Sequence, residues 1–155
     1  MSYSRAICNR IIEFLEKDDW KYRLDEEKEV IRSGLTLEGK MKRCDILFDL
    51  RDDKYLLYFT YPICADKAEF AEVVRLINLI NYDIMFGNFE MDERDGEVRF
   101  RYAVDCDACL PSLAVVEHSM YRTAFTVNKY ADAFVHVMMG FATAENAFKA
   151  AQNKD

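Results

Sequence analysis

The sequence lacks several features that mark particular classes of protein. Its Lys and Arg residues form no run long enough to make the basic face that binding to nucleic-acid phosphates requires, and the net charge of the 155 residues is −7. No stretch approaches the ~18 consecutive apolar residues of a membrane span. The N-terminal segment carries charges at Arg10 and Glu13, so it does not resemble a secretory signal. We therefore expect a cytoplasmic protein that binds neither nucleic acid nor membranes.

Proline, glycine and cysteine are also scarce. The two prolines, Pro62 and Pro111, lie at predicted element boundaries, and no Pro/Gly/Ser-rich linker or repeat divides the chain. The five cysteines are an odd number at scattered positions, which favours reduced thiols over a disulfide framework. Hydrophobic residues, by contrast, make up 51% of the sequence, enough for a full core. We therefore predict a single domain over residues 1–155.

Apolar periodicity predicts a helix followed by four strands in the first part of the chain. Residues 4–17 have apolar side chains at helical spacing. Alternating patterns then predict strands over residues 20–24, 29–38 and 44–50, separated by polar turns. The next segment, YLLYFTY, is apolar on both faces and rich in strand-forming residues. It is therefore predicted to be a central strand that Pro62 ends.

A central helix and a hairpin follow. Asp66 with Glu69 is a helix start signal, and the predicted helix runs to Asn81. Its predicted buried stripe is Phe70, Val73, Val74, Ile77 and Ile80. The turn DERDGE then separates two alternating segments and predicts a β-hairpin. On the charged face of this hairpin, we expect Glu90 to pair with Arg99 or Arg101.

A long helix occupies the last third of the chain. Pro111 suits its first turn, Gly140 ends it, and Thr143 caps a short terminal helix. Its main apolar stripe is accompanied by a second one through Tyr121, Phe125, Val135 and Met139. A helix of about 28 residues would be ~42 Å long, which exceeds the ~30 Å of a small domain. We therefore predict a homodimer in which part of the second stripe packs on another chain.

This order of elements defines the predicted fold class. It is α+β, with a single twisted antiparallel sheet of about five to six strands. The sheet packs against an N-terminal helix, a central helix and a long C-terminal helix.

One segment, NLINYDIMFGNFEMDERDGEVRFRY, resembles the YbjN family. The family pattern is an apolar helix ending in an asparagine pair, then G-x-F-x-(Leu/Met)-D, a turn, and G-x-V-x-(Phe/Tyr)-(Arg/Lys). The matching residues are Asn78, Asn81, Gly87, Phe89, Met91, Asp92, Gly96, Val98, Phe100 and Arg101. The element order extends this resemblance over nearly the whole chain.

The resemblance implies a bacterial sensory transduction regulator with a fold similar to type III secretion chaperones. Those chaperones are small, acidic, often dimeric proteins that bind extended segments of a partner. The family offers no agreed catalytic residues. The resemblance therefore implies a non-enzymatic protein-binding or regulatory module, without a cofactor. Such a module would capture a segment of a protein partner on its sheet or in a helix groove.

The asparagine pair at the end of the central helix is the first candidate site. The side chains of Asn78 and Asn81 can bond the free carbonyls of the helix end or the backbone of the next loop. They can equally form the polar rim of a partner groove. Gly87, in the same junction, would let the backbone pass close to the helix or adopt a positive φ.

The segment CDAC, with Cys106 and Cys109, is the second candidate. A CxxC pair can form a disulfide, bind metal or consist of ordinary loop thiols. A structural zinc needs four ligands, and the remaining cysteines offer no second close pair. The family pattern has a polar linker here instead. A thiol-redox or metal-binding protein therefore remains the alternative to the protein-binding module.

Aromatic and basic side chains of the sheet and hairpin are the third candidate. The surplus of Met and aromatic residues is compatible with core packing, a dimer seam or a peptide groove. The residues predicted to contact a partner are Tyr58, Phe86, Phe100, Tyr102, Arg99 and Arg101. An exposed apolar patch with a polar rim would support this prediction.

Overall fold

The structure of the protein is a computed structural model that describes residues 3–154. Within that range the helices are α1 (Arg5–Lys17), α2 (Phe70–Asp83), α3 (Leu113–Met138) and α4 (Ala144–Gln152). The strands are β1 (Arg23–Asp25), β2 (Val30–Thr36), β3 (Arg43–Leu50), β4 (Lys54–Cys64), β5 (Asn88–Met91) and β6 (Glu97–Asp105). This architecture confirms the predicted α+β class.

All six strands form one antiparallel sheet in the order β1-β2-β3-β4-β6-β5. The β4 strand lies inside the sheet, as its apolar sequence predicts. The hairpin β5–β6 joins the sheet through β6, which places β5 at one edge. The short strand β1 forms the opposite edge.

The helices form a second layer, and α3 packs against β4 and β6. The hydrophobic core lies between the layers because alternate strand residues point towards the helices. On β3, the predicted face of Cys44, Ile46, Phe48 and Leu50 is buried. On α3, Phe134 packs against Phe89, with 4.8 Å between ring centroids.

Helix ends follow local sequence signals. The Ser4, Ser112 and Thr143 side chains accept the backbone N–H three residues later, so they cap α1, α3 and α4. Gly140 follows α3 with φ of 73°, a left-handed conformation that glycine adopts readily. Pro111, however, precedes the cap of α3 and is not in its first turn.

Pro62 does not end β4, contrary to the prediction. The strand continues to Cys64, and its register with β6 shifts between Thr60 and Cys64. A proline has no N–H to donate to the ladder, so it is tolerated where regular pairing is interrupted. The shorter prediction failed because this irregularity depends on the partner strand.

The start and the buried stripe of α2 also differ from the prediction. The chain first makes a 3₁₀ turn over Lys67–Glu69, and the Asp66 side chain makes no capping bond. Val74 is 51% exposed, whereas Leu76 is buried. On a helical wheel with 100° per residue, the buried residues 73, 76, 77 and 80 span a narrower arc than the predicted stripe that included Val74.

The first strand begins later than predicted. Trp20 and Tyr22, which were predicted to lie in it, precede β1.

Candidate functional site

The face of the sheet opposite the helices is the candidate site. Its centre consists of Leu47, Leu56 and Tyr58, which are half-buried, and Ala103, which is exposed. We call these four residues the open-face patch. No helix among residues 3–154 covers them, whereas their neighbours Leu57 and Phe59 on β4 are buried. The patch therefore presents apolar surface on a rigid sheet.

Strand register brings the patch together from three strands. Tyr58 on β4 lies opposite Leu47 on β3 and Arg101 on β6. Leu56 lies opposite Ala103. Directly opposite residues of an antiparallel pair point to the same face. The patch is therefore continuous across β3, β4 and β6.

A charged cluster borders the patch on the hairpin side. Glu90 Oε1 accepts a hydrogen bond of 2.6 Å from Arg99 Nε. The other carboxylate oxygen lies 3.3 Å from Arg101 Nη2. The Arg99 guanidinium carbon also lies 4.1 Å from the ring centroid of Tyr58, a cation–π contact. Glu90 therefore pairs with both arginines, whereas the sequence predicted a pair with one or the other, and this places two basic groups beside Tyr58.

Two shallow depressions lie along the same border. One, of about 380 Å³, is lined by Leu56, Gly87, Asn88, Arg101 and Ala103. The other, of about 320 Å³, is polar and is lined by Glu90, Met91, Asp92, Arg94, Glu97 and Arg99. In it, hydrogen bonds from Arg94 lower the pKa of Asp92 to about 2. Such a surface suits side chains of a bound segment better than an enclosed small molecule.

Phe86 and Tyr102 lie apart from the patch, on the helix side of the hairpin. Their rings stack with 6.3 Å between centroids. The Arg122 guanidinium carbon on α3 lies 4.1 Å from the Phe86 ring centroid. Phe86 is 47% exposed. This pair forms a separate exposed surface.

Phe100 does not belong to either surface. Its side chain is fully buried and packs edge-on against Phe89, with 4.9 Å between centroids. The prediction that Phe100 contacts a partner is therefore wrong, because alternation in the strand points this residue into the core. The structure brings together Tyr58, Arg99 and Arg101 from the predicted set.

Asn81 connects α2 to the edge strand β5. Its Nδ2 donates to the carbonyl of Phe89 at 3.0 Å, and its Oδ1 accepts the Phe89 N–H at 2.9 Å. The side chain thus takes the place of a neighbouring strand at the free edge of β5. Asn78, one turn earlier, is exposed on α2. Only Asn81 therefore serves as the junction.

Gly87 completes the junction through its small size. Its φ is 70°, and a Cβ added there would lie 2.5 Å from Phe100 Cε1. A side chain at this position would displace the aromatic core. The positive φ expected at Gly87 is therefore present, and the close approach is to Phe100 on β6 rather than to the helix.

The cysteines of CDAC differ in environment. Cys106 is buried next to the end of β6 and Cys109 is exposed. Burial raises the pKa of Cys106, and the charges of Asp105, Cys109 and Asp53 add to this effect. A raised pKa opposes thiolate chemistry. Among residues 3–154, no three His, Cys, Asp or Glu side chains are grouped to hold a metal ion.

Sequence reasoning missed Leu47, Leu56 and Ala103 as site residues. The signal was present in YLLYFTY, which is apolar on both faces. In a sheet with helices on one face only, such a strand leaves apolar residues on the other. Leu47 likewise interrupts the alternation of acidic and apolar residues in CDILFDL.

Comparison with known proteins identifies the family. A model of the YbjN family, described as "Putative bacterial sensory transduction regulator", matches residues 8–135. The chain belongs to the YbjN family. Comparison with curated proteins gives no match.

A solved structure shows the same fold. The "Crystal structure of YbjN, a putative transcription regulator from E. coli" has a TM-score of 0.59 at 7% sequence identity. The similarity covers 86% of this chain and 89% of that chain. It confirms the YbjN fold, and the family description assigns a regulator without naming a reaction. Within residues 3–154, no helix has both the length and the apolar character of a membrane span.

Proposed function

We propose that this YbjN-family protein is a non-enzymatic regulatory module that binds an extended segment of a protein partner on the open-face patch. The observation that carries the proposal is the bare second face of the sheet, with apolar residues at its centre. Contiguous apolar patches of more than a few hundred Å² on a protein surface often mark sites of interaction. The expected similarity to secretion chaperones, which bind extended segments, points in the same direction.

The patch and its charged border would contribute to binding in different ways. Leu47, Leu56 and Tyr58 would lose their remaining contact with water beneath the partner, which favours association. Arg99 and Arg101 stand at the border, where polar residues contribute orientation and specificity more than affinity. Acidic groups of the partner would compete with Glu90 for these arginines.

The alternative function, thiol chemistry at Cys106 and Cys109, lacks comparable support. Burial and neighbouring negative charge raise the pKa of the Cys106 thiol. A reactive cysteine requires the opposite environment. The regulatory description of the family also favours binding over catalysis.

Photo-crosslinking in cells of the source organism tests the proposal. A photoreactive amino acid at position 56 should give one discrete crosslinked species with another protein. The same group at position 74, on the exposed outer side of α2, is the matched control and should not give that species. The double variant Arg99→Glu with Arg101→Glu should weaken crosslinking from position 56.

Two results would count against this function. One is the absence of any crosslink at position 56 when the protein is folded and expressed. The other is an identical set of crosslinks at positions 56 and 74, which would indicate nonspecific collisions. Thermal unfolding of each variant checks that the reversed charges beside Glu90 have not disrupted the hairpin.

A further inference from the structure

The solvent side of α3 carries several exposed apolar residues. Phe125 is 70% exposed, and Tyr121 is 42% exposed. From the same predicted stripe, Met139 is exposed while Val135 is buried. Tyr121 also packs beside Trp20 and donates to Asp18 at 2.7 Å. Phe125, at the middle of the helix, is thus the most exposed member of the stripe.

A groove begins at Phe125 and follows the C-terminal half of α3. Its volume is about 700 Å³, and its lining residues are Glu38, Phe125, Asn128, Lys129, Asp132, Asn153 and Lys154. The groove lies on the helix layer, on the opposite side of the molecule from the open-face patch.

The walls of the groove are held in place by specific hydrogen bonds. At the tip of the β2–β3 hairpin, the N–H of Glu38 donates to Asn128 Oδ1 at 3.1 Å. The N–H of Lys40 donates to Asp132 Oδ1 at 3.2 Å. On the other side, Lys154 Nζ lies 3.0 Å from Asp132 Oδ2. The groove is therefore a built feature, and α3 forms its floor.

We propose that this groove receives the N-terminal half of α3 from a second copy of the chain. The two α3 helices would cross antiparallel, with a two-fold axis beside Phe125. Residues equally distant from Phe125 along the helix would then face each other. Each copy would fill the other's groove, as an isologous interface requires.

The charges on α3 fit this arrangement. Arg122 of one copy would face Asn128 of the other, next to Glu38, and would form an ion pair there. Tyr121 would face Lys129, which allows a cation–π contact. His118 would face Asp132 and can donate a hydrogen bond to its carboxylate. These facing pairs contain no like charges.

A parallel two-fold arrangement would oppose association. Each residue on the seam would then face its own copy, so Arg122, Lys129 and Asp132 would each meet the same charge. Directly facing like charges are unfavourable at an interface. The distribution of charge therefore selects the antiparallel dimer, with Phe125 packed against Phe125 at its centre.

The dimer and the proposed partner site are independent. Because α3 lies in the helix layer, the dimer would leave both open-face patches directed outwards. Loss of the dimer would leave each patch intact.

The test is the mass of the full chain by light scattering at tens of micromolar. The wild type should be a dimer, and Phe125→Glu should be a monomer because two buried carboxylates would face each other. Val74→Glu, at an exposed apolar position on the far side of α2, is the matched control and should remain dimeric. A monomeric wild type, or a dimer that persists in Phe125→Glu, would overturn the proposal.

A charge exchange tests the antiparallel register. Glu38→Arg and Arg122→Glu should each raise the dimer dissociation constant, by roughly tenfold. The double variant should restore it, since it re-forms the pair with opposite polarity. Equal weakening by the single and double variants would overturn this register.

A cysteine at the axis gives a second readout. In a background of Cys64→Ser and Cys109→Ser, which removes the exposed thiols, Phe125→Cys should form an intermolecular disulfide under mild oxidation. Val74→Cys should not. Equal crosslinking of the two cysteines would contradict an axis at Phe125.

Discussion

The two faces of the sheet are made by the same strands but differ in burial. On β4, Tyr55, Leu57, Phe59 and Tyr61 are buried beneath the helices. Leu56, Tyr58 and Thr60, which alternate with them, are only half-buried. The residue types on the two faces are similar. Burial is therefore decided by where the helices pack rather than by the hydrophobicity of the strand.

Polar groups also differ between the two faces. On the covered face, Tyr61 donates to the carbonyl of Val127 at 2.7 Å, and the Tyr55 and Ser119 oxygens lie 2.8 Å apart. These two buried tyrosine hydroxyls each have a fixed partner, and leaving them without one would be costly. On the open face, the ring of Tyr58 instead lies under the guanidinium of the half-buried Arg99. The covered face therefore provides stability and the open face provides surface for recognition.

Removing a large aromatic side chain should give the largest difference between the faces in the free energy of unfolding. Phe89→Ala should lower the free energy of unfolding by about 3–5 kcal/mol, because it opens a cavity among buried rings. Tyr58→Ala is the control on the open face and should lower the free energy of unfolding by only about 1 kcal/mol. Urea unfolding measures both. Equal losses would mean that the open face contributes to the core as much as the covered face does.

The edge of the covered face depends on Asn81. Asn81→Ala leaves the N–H of Phe89 without its partner and leaves the carbonyl only the 3.4 Å hydrogen bond from Asn88 Nδ2, and an unsatisfied buried group costs roughly 1–3 kcal/mol. Asn78→Ala, one turn away and exposed, should change stability by less than about 0.5 kcal/mol. Chemical unfolding compares the two. Hydrogen exchange of the Phe89 amide should also accelerate in the Asn81 variant alone.

Alkaline pH should lower the stability of the folded protein, because a cysteine is buried on the covered face. Burial raises the pKa of Cys44 to about 12, and the thiol of an unfolded chain titrates near 8.5. Above that pH the unfolded state loses its proton while the folded state keeps it, so stability falls as pH rises. At about pH 10 this effect is worth roughly 2 kcal/mol.

Thermal or urea unfolding at about pH 8 and about pH 10 measures this effect. The loss of stability between the two pH values should be smaller in Cys44→Ala than in the wild type. An identical loss in both proteins would show that Cys44 is not the group responsible.

Removing a single hydroxyl group should give the smallest difference in stability between the two faces. Tyr61→Phe eliminates the hydrogen bond to Val127 and should cost about 1 kcal/mol. Tyr58→Phe keeps the ring beneath Arg99 and should be close to neutral. Stability measurements on these two variants would sharpen the comparison of the faces, because both variants remove a tyrosine hydroxyl from the same strand. A larger cost for Tyr58→Phe would indicate an unexpected role for its hydroxyl.

Local patterns in the sequence determined most of the elements of this protein. Alternation around Asp95-Gly96 specifies the β5–β6 hairpin and hence the pairing of Glu90 with Arg99 and Arg101. Caps at Ser4 and Thr143 and the glycine at position 140 mark helix ends. These features depend on residues close in the chain, so they can be predicted without the fold.

Only the tertiary structure decided which faces and edges remain free. Alternation alone cannot tell whether Phe100 or Tyr58 faces the helices, because that depends on which side α3 crosses. The irregularity at Pro62 depends on pairing with β6, and Asn81 acquires its role only where α2 meets the β5 edge. Each outcome depends on residues distant in sequence. Local physical chemistry therefore specifies the strands and helices, and their packing determines which surfaces remain for a partner.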